Sequence, residues 1–385
     1  MDVRFAMKKV PPYRWLLWAA TLAAAVFFLV EMGYLSRGHA TPAARGFELL
    51  DTLMSHIRND YLEERDPLLT AEGTFRGLVN SLDPLSAYLS KDLVDGYKTL
   101  PGPLFEPGLT VLKRYAAFPQ VVAVVDKSPA QAAGVQLGDL ISAIGGRNTL
   151  DMSLAEVKIL LRGTDERPVE VRILRGNDTH NLSVARARMS PASYEIVRNA
   201  GQPARLRVFR FDDKMAGAVG KELAPALKGG KTPLVIDLRD CQDGDPGEAA
   251  RFVNLFVKAA DAGRFEGRDG AFEAVSCPAE PVFGAIPLVV WTDAGTAGPA
   301  ELAAGLLQEV RKARIVGFET AGLAARTTLF PLKDDSALLL TSGVFQLPSG
   351  RKIWGDGLVP DAAITVDKLN DKTYLDKTLP LLPKL

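Results

Sequence analysis

The chain has 385 residues, enough for two or three domains, and its 47% hydrophobic content can build real cores. Lys plus Arg and Asp plus Glu both total 46, so the formal charge is zero. That balance excludes the basic face of a nucleic-acid-binding chain, and no nucleic-acid partner is expected.

Arg4, Lys8, Lys9 and Arg14 precede an uncharged run from Trp15 to Val30, and apolar character continues past Glu31 to Leu35. The span approaches the roughly 20 residues that cross a bilayer, longer than the usual core of a cleaved signal. Residues 1–40 are therefore expected to be a cytoplasmic tail and signal anchor, with the basic side inside. Cleavage after Ala40, where Gly38 and Ala40 are small, is the alternative. The expected location is the inner (cytoplasmic) membrane, single-pass, with the bulk of the chain periplasmic.

Residues 41–100 form a helical segment. Phe47, Leu50, Met54 and Ile57 recur at helical spacing between Phe47 and Tyr61, and His56 falls on the polar side. Asp83 before Pro84 starts a turn in which the carboxylate accepts backbone hydrogen bonds. Residues 101–189 alternate strand-like runs (Val121 to Val125, Leu140 to Ile144, Val169 to Leu174, Leu182 to Ala185) with a helix from Ser153 to Leu161.

Residues 190–385 also alternate: strand Leu206 to Phe211, helix Met215 to Leu227, strand Leu234 to Leu238, strand Leu288 to Trp291, and helix Pro299 to Val310. Such alternation favours an α/β sheet. Pro299 suits a first helical position, with Glu301 in the first turn and Arg311, Lys312 and Arg314 near the end. A strand feeding a sharp turn and a helix is where many hydrolases place a nucleophile. Here the turn Asp293 to Gly298 offers Thr296 but no Ser, Cys or Lys, and the three histidines, His39, His56 and His180, all lie earlier. Cys241 and Cys277 either pair in an oxidising compartment or stand as separate thiols. Asp237, Asp240, Asp243 and Asp245 alternate loosely like a calcium loop but lack its terminal bidentate Glu, so neither metal nor cofactor is expected.

Several stretches resemble the carboxyl-terminal processing peptidases, or tail-specific proteases, whose catalysis uses a serine and a lysine. Leu82-Asp83-Pro84-Leu85-Ser86-Ala87-Tyr88-Leu89 is close to their LDPHSxYL text. Ser128-Pro129-Ala130, Ala133-Gly134 and Gly138-Asp139-Leu140-Ile141 follow the text of their PDZ domain. Asp237-Leu238-Arg239, Asp293 with Gly295, Thr296, Ala297 and Glu301, and Val316, Gly317, Thr320 and Gly322 match the core. So do Pro348-Ser349-Gly350-Arg351 and Pro360-Asp361.

The resemblance implies an α/β (α+β) multidomain chain with a PDZ domain and a tail-specific-protease core of ClpP/crotonase-like type. It also implies that the reacting groups are gone: the serine position falls on Gly298, the lysine on Leu323 and a following glutamine on Thr327. The residue that donates an oxyanion-hole amide falls on Pro299, which has none, while Gly244 keeps the second glycine of the other oxyanion loop with Asp243 beside it.

Peptide binding is implied at Gly108, Leu109, Thr110 and Val111, although Glu106 and Pro107 stand in the loop that receives a peptide carboxylate. The implied partners are protein or peptide ligands, the membrane, and a second subunit, either a copy of itself or an active paralogue. The expected function is a catalytically inactive, peptide-binding homologue. The alternative is an active peptidase with Thr296 as nucleophile and Lys312 or Lys333 as base.

Overall fold

The computed structural model describes residues 42–60, 62, 67–100, 104–114, 116–163, 165–189, 193–227, 232–364 and 371–383. The predicted anchor, residues 1–40, lies outside the described residues, as does Tyr61. Among the described residues no helix is long and apolar enough to cross a membrane. The described residues fall into two units, one up to Glu72 and one from Gly73 onward.

In the first unit the helix Pro42–Asp60 carries Leu49, Leu53 and Ile57 exposed along one side. His56 is exposed and bonded to Asp60. The second unit holds three larger sheets. The first runs in the order Leu109–Leu112, Gln120–Val124, Leu140–Ile144, Val169–Arg175, Asp178–Val184, with Leu109–Leu112 at its edge. Its last strand starts earlier than the Leu182 expected, because Gly176, at φ 59°, closes a tight hairpin.

The helix Leu154–Leu161 lies beside this sheet. It starts with a reciprocal cap: Glu156 N–H donates to Ser153 Oγ at 3.2 Å, and Ser153 N–H to Glu156 Oε2 at 2.7 Å.

The second sheet contains Tyr194–Val197, Ala204–Val208, Leu234–Asp237, Leu288–Thr292, Arg314–Gly317 and Ala362–Ala363. From Ala204–Val208 onward neighbouring strands are parallel. Parallel pairs need long crossovers, and the helices Met215–Leu223, Pro246–Asn254 and Pro299–Glu309 lie in three of the connections. One apolar cluster centres on Phe211, Phe252, Phe256 and Leu306, and a second on Trp291, Val316 and Tyr374. Strands covered on both faces read as unbroken apolar runs, which is why Leu288–Thr292 is legible. Arg239 turns back on Asp237 through bonds of 2.7 and 2.6 Å. Its guanidinium sits 4.9 Å from the Trp291 ring centre and 4.4 Å from that of Tyr374. The DLR text is a structural clip.

Two expected elements break. The run to Phe211 ends as a strand at Val208, and Arg210–Phe211 forms a separate strand parallel to Asp243–Gly244. The helix expected to reach Leu227 stays α-helical only to Leu223 and tightens to a 3-10 turn over Ala224–Leu227, where Pro225 has no N–H to continue the α pattern.

The third sheet joins Ala87–Leu89 to Ala337–Gln346, whose opposite side pairs with Ala325–Pro331. Arg264–Glu266 and Phe272–Ala274 extend it. The LDPLSAYL text is thereby stitched to the peptidase-like half. Asp83 accepts from the amides of Leu85 and Ser86, each at 2.8 Å, as its turn predicts.

Candidate functional site

The strand Leu288–Thr292 and helix Pro299–Glu309 meet at Gly298, whose φ of 56° and ψ of −118° define a sharp elbow. Only glycine adopts such angles without strain, and hydrolases tolerate the strain to lift a nucleophile out of the turn. A Cβ added at Gly298 would lie 3.4 Å from the Gln242 carbonyl oxygen and 3.9 Å from that of Leu323. The fold thus brings together the two positions that the resemblance pairs, occupied here by hydrogen and by isobutyl. Leu323 is buried and packs with Ala297 into the apolar cluster of the first sheet, where a lysine ammonium would be poorly solvated.

The backbone at the elbow is committed as well. Gly298 N–H donates to Glu301 Oε2 at 3.0 Å, and Pro299 has no N–H to offer. Glu301 is fully buried and also accepts from the amides of Gly322 and Leu323, at 2.6 and 2.7 Å, and from the Thr320 hydroxyl. It ties the elbow to the segment bearing Leu323. Burial pushes its carboxyl up to about 7, against the pull of these donors.

Thr296 is inside the protein. Its Oγ1 receives the Asp293 N–H at 3.0 Å and reaches the Leu238 carbonyl at 2.9 Å, so the hydroxyl satisfies the turn. Lys312 is exposed beyond the far end of the 11-residue helix, about 16 Å along its axis. Lys333 is exposed in the turn before Ala337–Gln346. The geometry supplies Thr296 with no base from either.

Gly244 has φ 132°, and a Cβ there would come within 2.5 Å of Phe211 N. Thr327 follows a bulge in Ala325–Pro331 and lines a cavity of about 550 Å³ together with Gly244, Asp245, Lys158 and Leu339. Among the described residues Lys158 is the one amine on that wall, and its Nζ is bound to Asp243 at 2.7 Å.

Asp243 was expected to set a free carboxylate against an oxyanion. Instead Lys158 and Arg162, the latter at 2.9 Å, neutralise it. Burial pushes its carboxyl up, but the two cations outweigh that and hold it well below the usual range. Asp240 leans on Asp293: burial, then the Asp293 charge, pushes the Asp240 carboxyl well up, and burial pushes that of Asp293 up against its hydrogen bonds from Asp240. The four loop carboxylates diverge: Asp237 binds Arg239, Asp240 meets Asp293, Asp243 meets Lys158, and Asp245 caps a helix at Glu248 N. Among the described residues no cluster could hold a metal.

The predicted peptide-binding residues Gly108, Leu109, Thr110 and Val111 line a second cavity of about 490 Å³, shared with Arg207, Asp240, Gln242 and Asp243 of the core. Gly108 sits at φ 78°, where the chain turns into the edge strand. Sequence reasoning missed Lys158, Arg162 and Gln242, which join the two halves. They lie 85, 81 and 131 residues from their partners, and no local periodicity signals such pairs. Cys241 and Cys277 are buried and free, which favours the separate-thiol reading.

The family model described as Peptidase family S41 matches residues 204–364, and that of the PDZ domain matches residues 120–175. These matches support a likeness to the carboxyl-terminal processing peptidases. Among its relatives, a "Probable CtpA-like serine protease" of Staphylococcus haemolyticus is 26% identical over 314 residues, covering 80% of this chain and 62% of that protein. Another of that name from Staphylococcus aureus is 25% identical over 333 residues, covering 86% of this chain and 67% of the other. The chain thus spans about two thirds or less of these relatives. The solved structure of a photosystem II D1 C-terminal processing protease superposes with a TM-score of 0.70 at 23% identity, covering 93% of this chain and 96% of that one. It shares this fold.

Proposed function

We infer that this chain is a catalytically inert member of the carboxyl-terminal processing peptidases that binds peptide segments of protein partners and regulates or adapts rather than cuts. The observation that carries the reading is the elbow: a sharp backbone turn held at Gly298 with no hydroxyl on it, Leu323 where a base would stand, and Pro299 withholding an amide. Losing a nucleophile or its base costs on the order of 10⁶ in kcat, and one oxyanion donor roughly a further 10²–10³. The satisfied hydroxyl of Thr296 argues against a relocated nucleophile.

The basic and apolar N-terminus supports a single-pass anchor that places the bulk of the chain outside the cytoplasm. The exposed apolar side of Pro42–Asp60 is available for pairing with a second subunit. A serine-reactive fluorophosphonate probe tests inertness. The purified chain should remain unlabelled under conditions that label an active family member, and stoichiometric labelling at Thr296 would defeat the reading.

A further inference from the structure

The following rests on the reading that the chain binds peptides, and it concerns which ones. Leu109–Leu112 ends its sheet, so an extended segment can add along its outer edge. Gln242 of the core already reaches that edge, donating its side-chain amide to the Val111 carbonyl at 3.3 Å. An added strand would make the same bond with a backbone N–H. Leu109, Val111, Val124 and Leu161 give the groove apolar walls.

Its other end, at Glu106 to Gly108, is unsuited to a chain terminus. Pro107 has no N–H, and its carbonyl is taken by Ala130 N–H at 2.8 Å. Glu106 places a carboxylate in the loop, 3.0 Å from Arg162. Arg162 is also shared with Asp243, Lys158 is committed to Asp243 at 2.7 Å, and Arg210 binds Asp212 at 2.6 Å. The three cations that act on Glu106 are thus each matched by a carboxylate, while Arg207, also on the groove wall, lies 3.6 Å from Asp240. Burial and the neighbouring Asp243 already disfavour the charge on Glu106, and a terminal carboxylate would bring a further anion into the same neighbourhood.

We propose that this groove receives an internal, extended, apolar segment of a partner protein in preference to a free carboxyl terminus, with Gln242 as the side chain that the segment displaces from Val111. The test is fluorescence polarisation of the full chain with one fluorescein-labelled hexapeptide, Gly-Ser-Val-Ala-Val-Leu, made with a carboxamide end and with a free carboxylate. The carboxamide should bind at least about threefold tighter, and Glu106→Gln should narrow the gap. Equal or tighter binding of the free acid, or a gap unchanged in Glu106→Gln, overturns the preference while leaving peptide binding intact. No binding of either peptide at about 1 mM defeats the peptide-binding reading itself.

Discussion

Glu301→Gln probes the carboxylate that holds the elbow together. In the native chain both Glu301 oxygens accept two bonds each, from Gly298, Thr320, Gly322 and Leu323. The glutamine amide nitrogen would face backbone donors and leave at least one buried N–H unpaired, a cost of about 1–3 kcal/mol. The pH dependence is more diagnostic. The carboxyl is raised from 4.5 to about 7 by burial, so the folded state retains a proton that the unfolded chain has released. A raised folded value means that the stabilising share is full below the unfolded value and is lost as pH climbs through the window between the two. Between pH 5 and 8 the native chain should therefore lose on the order of 2–3 kcal/mol that the glutamine variant does not. Urea unfolding of both proteins at the two pH values, read by tryptophan emission and by circular dichroism, gives the difference. The variant's deficit should shrink with rising pH; a deficit that is constant or grows would refute the buried, proton-holding Glu301.

Gly244→Ala should destabilise by about 3 kcal/mol or more, because the new Cβ meets Phe211 backbone atoms at 2.5 to 2.7 Å from a left-handed φ; a urea midpoint within error of the parent would contradict this. Asp243→Asn should cost about 1–2 kcal/mol, discounted because the side chain is 38% exposed, and the loss should shrink in high salt. Salt-independent loss would point to packing instead of charge. Under non-reducing conditions Ellman's reagent should find both thiols slow in the native chain, where burial pushes Cys277 up to about 11 and Cys241 well above its usual value, and two reactive thiols after urea. No thiol after urea would mean a disulfide.

The elements of the core were legible where period and covering agree. Leu288–Thr292 and Leu234–Asp237 are apolar because both faces are covered, and Pro299 marks a helix start that needs no first amide. The elbow positions were legible through motif spacing, and the structure sets Gly298 beside Leu323. What local sequence could not carry is partnership across the chain. Asp243 looked like an unpaired repulsive charge until Lys158 and Arg162 met it from the helix of the other half. The run ending at Phe211 looked like one strand because its alternation hides the break at Phe209, where pairing switches to Asp243–Gly244. Asp240 and Asp293 are each ordinary turn residues in sequence, and neither their burial nor their contact, which together raise the Asp240 carboxyl, is written there.

The most direct test is cleavage of unstructured casein, followed by mass spectrometry of new termini, for the parent chain and for Gly298→Ser combined with Leu323→Lys. Both should stay at background, because the serine would be lifted by the elbow while Pro299 still withholds its amide and Gly298 N–H remains on Glu301. Turnover by the parent chain would contradict the inert site outright. Turnover by the double variant alone would show that the missing amide is not what silences it.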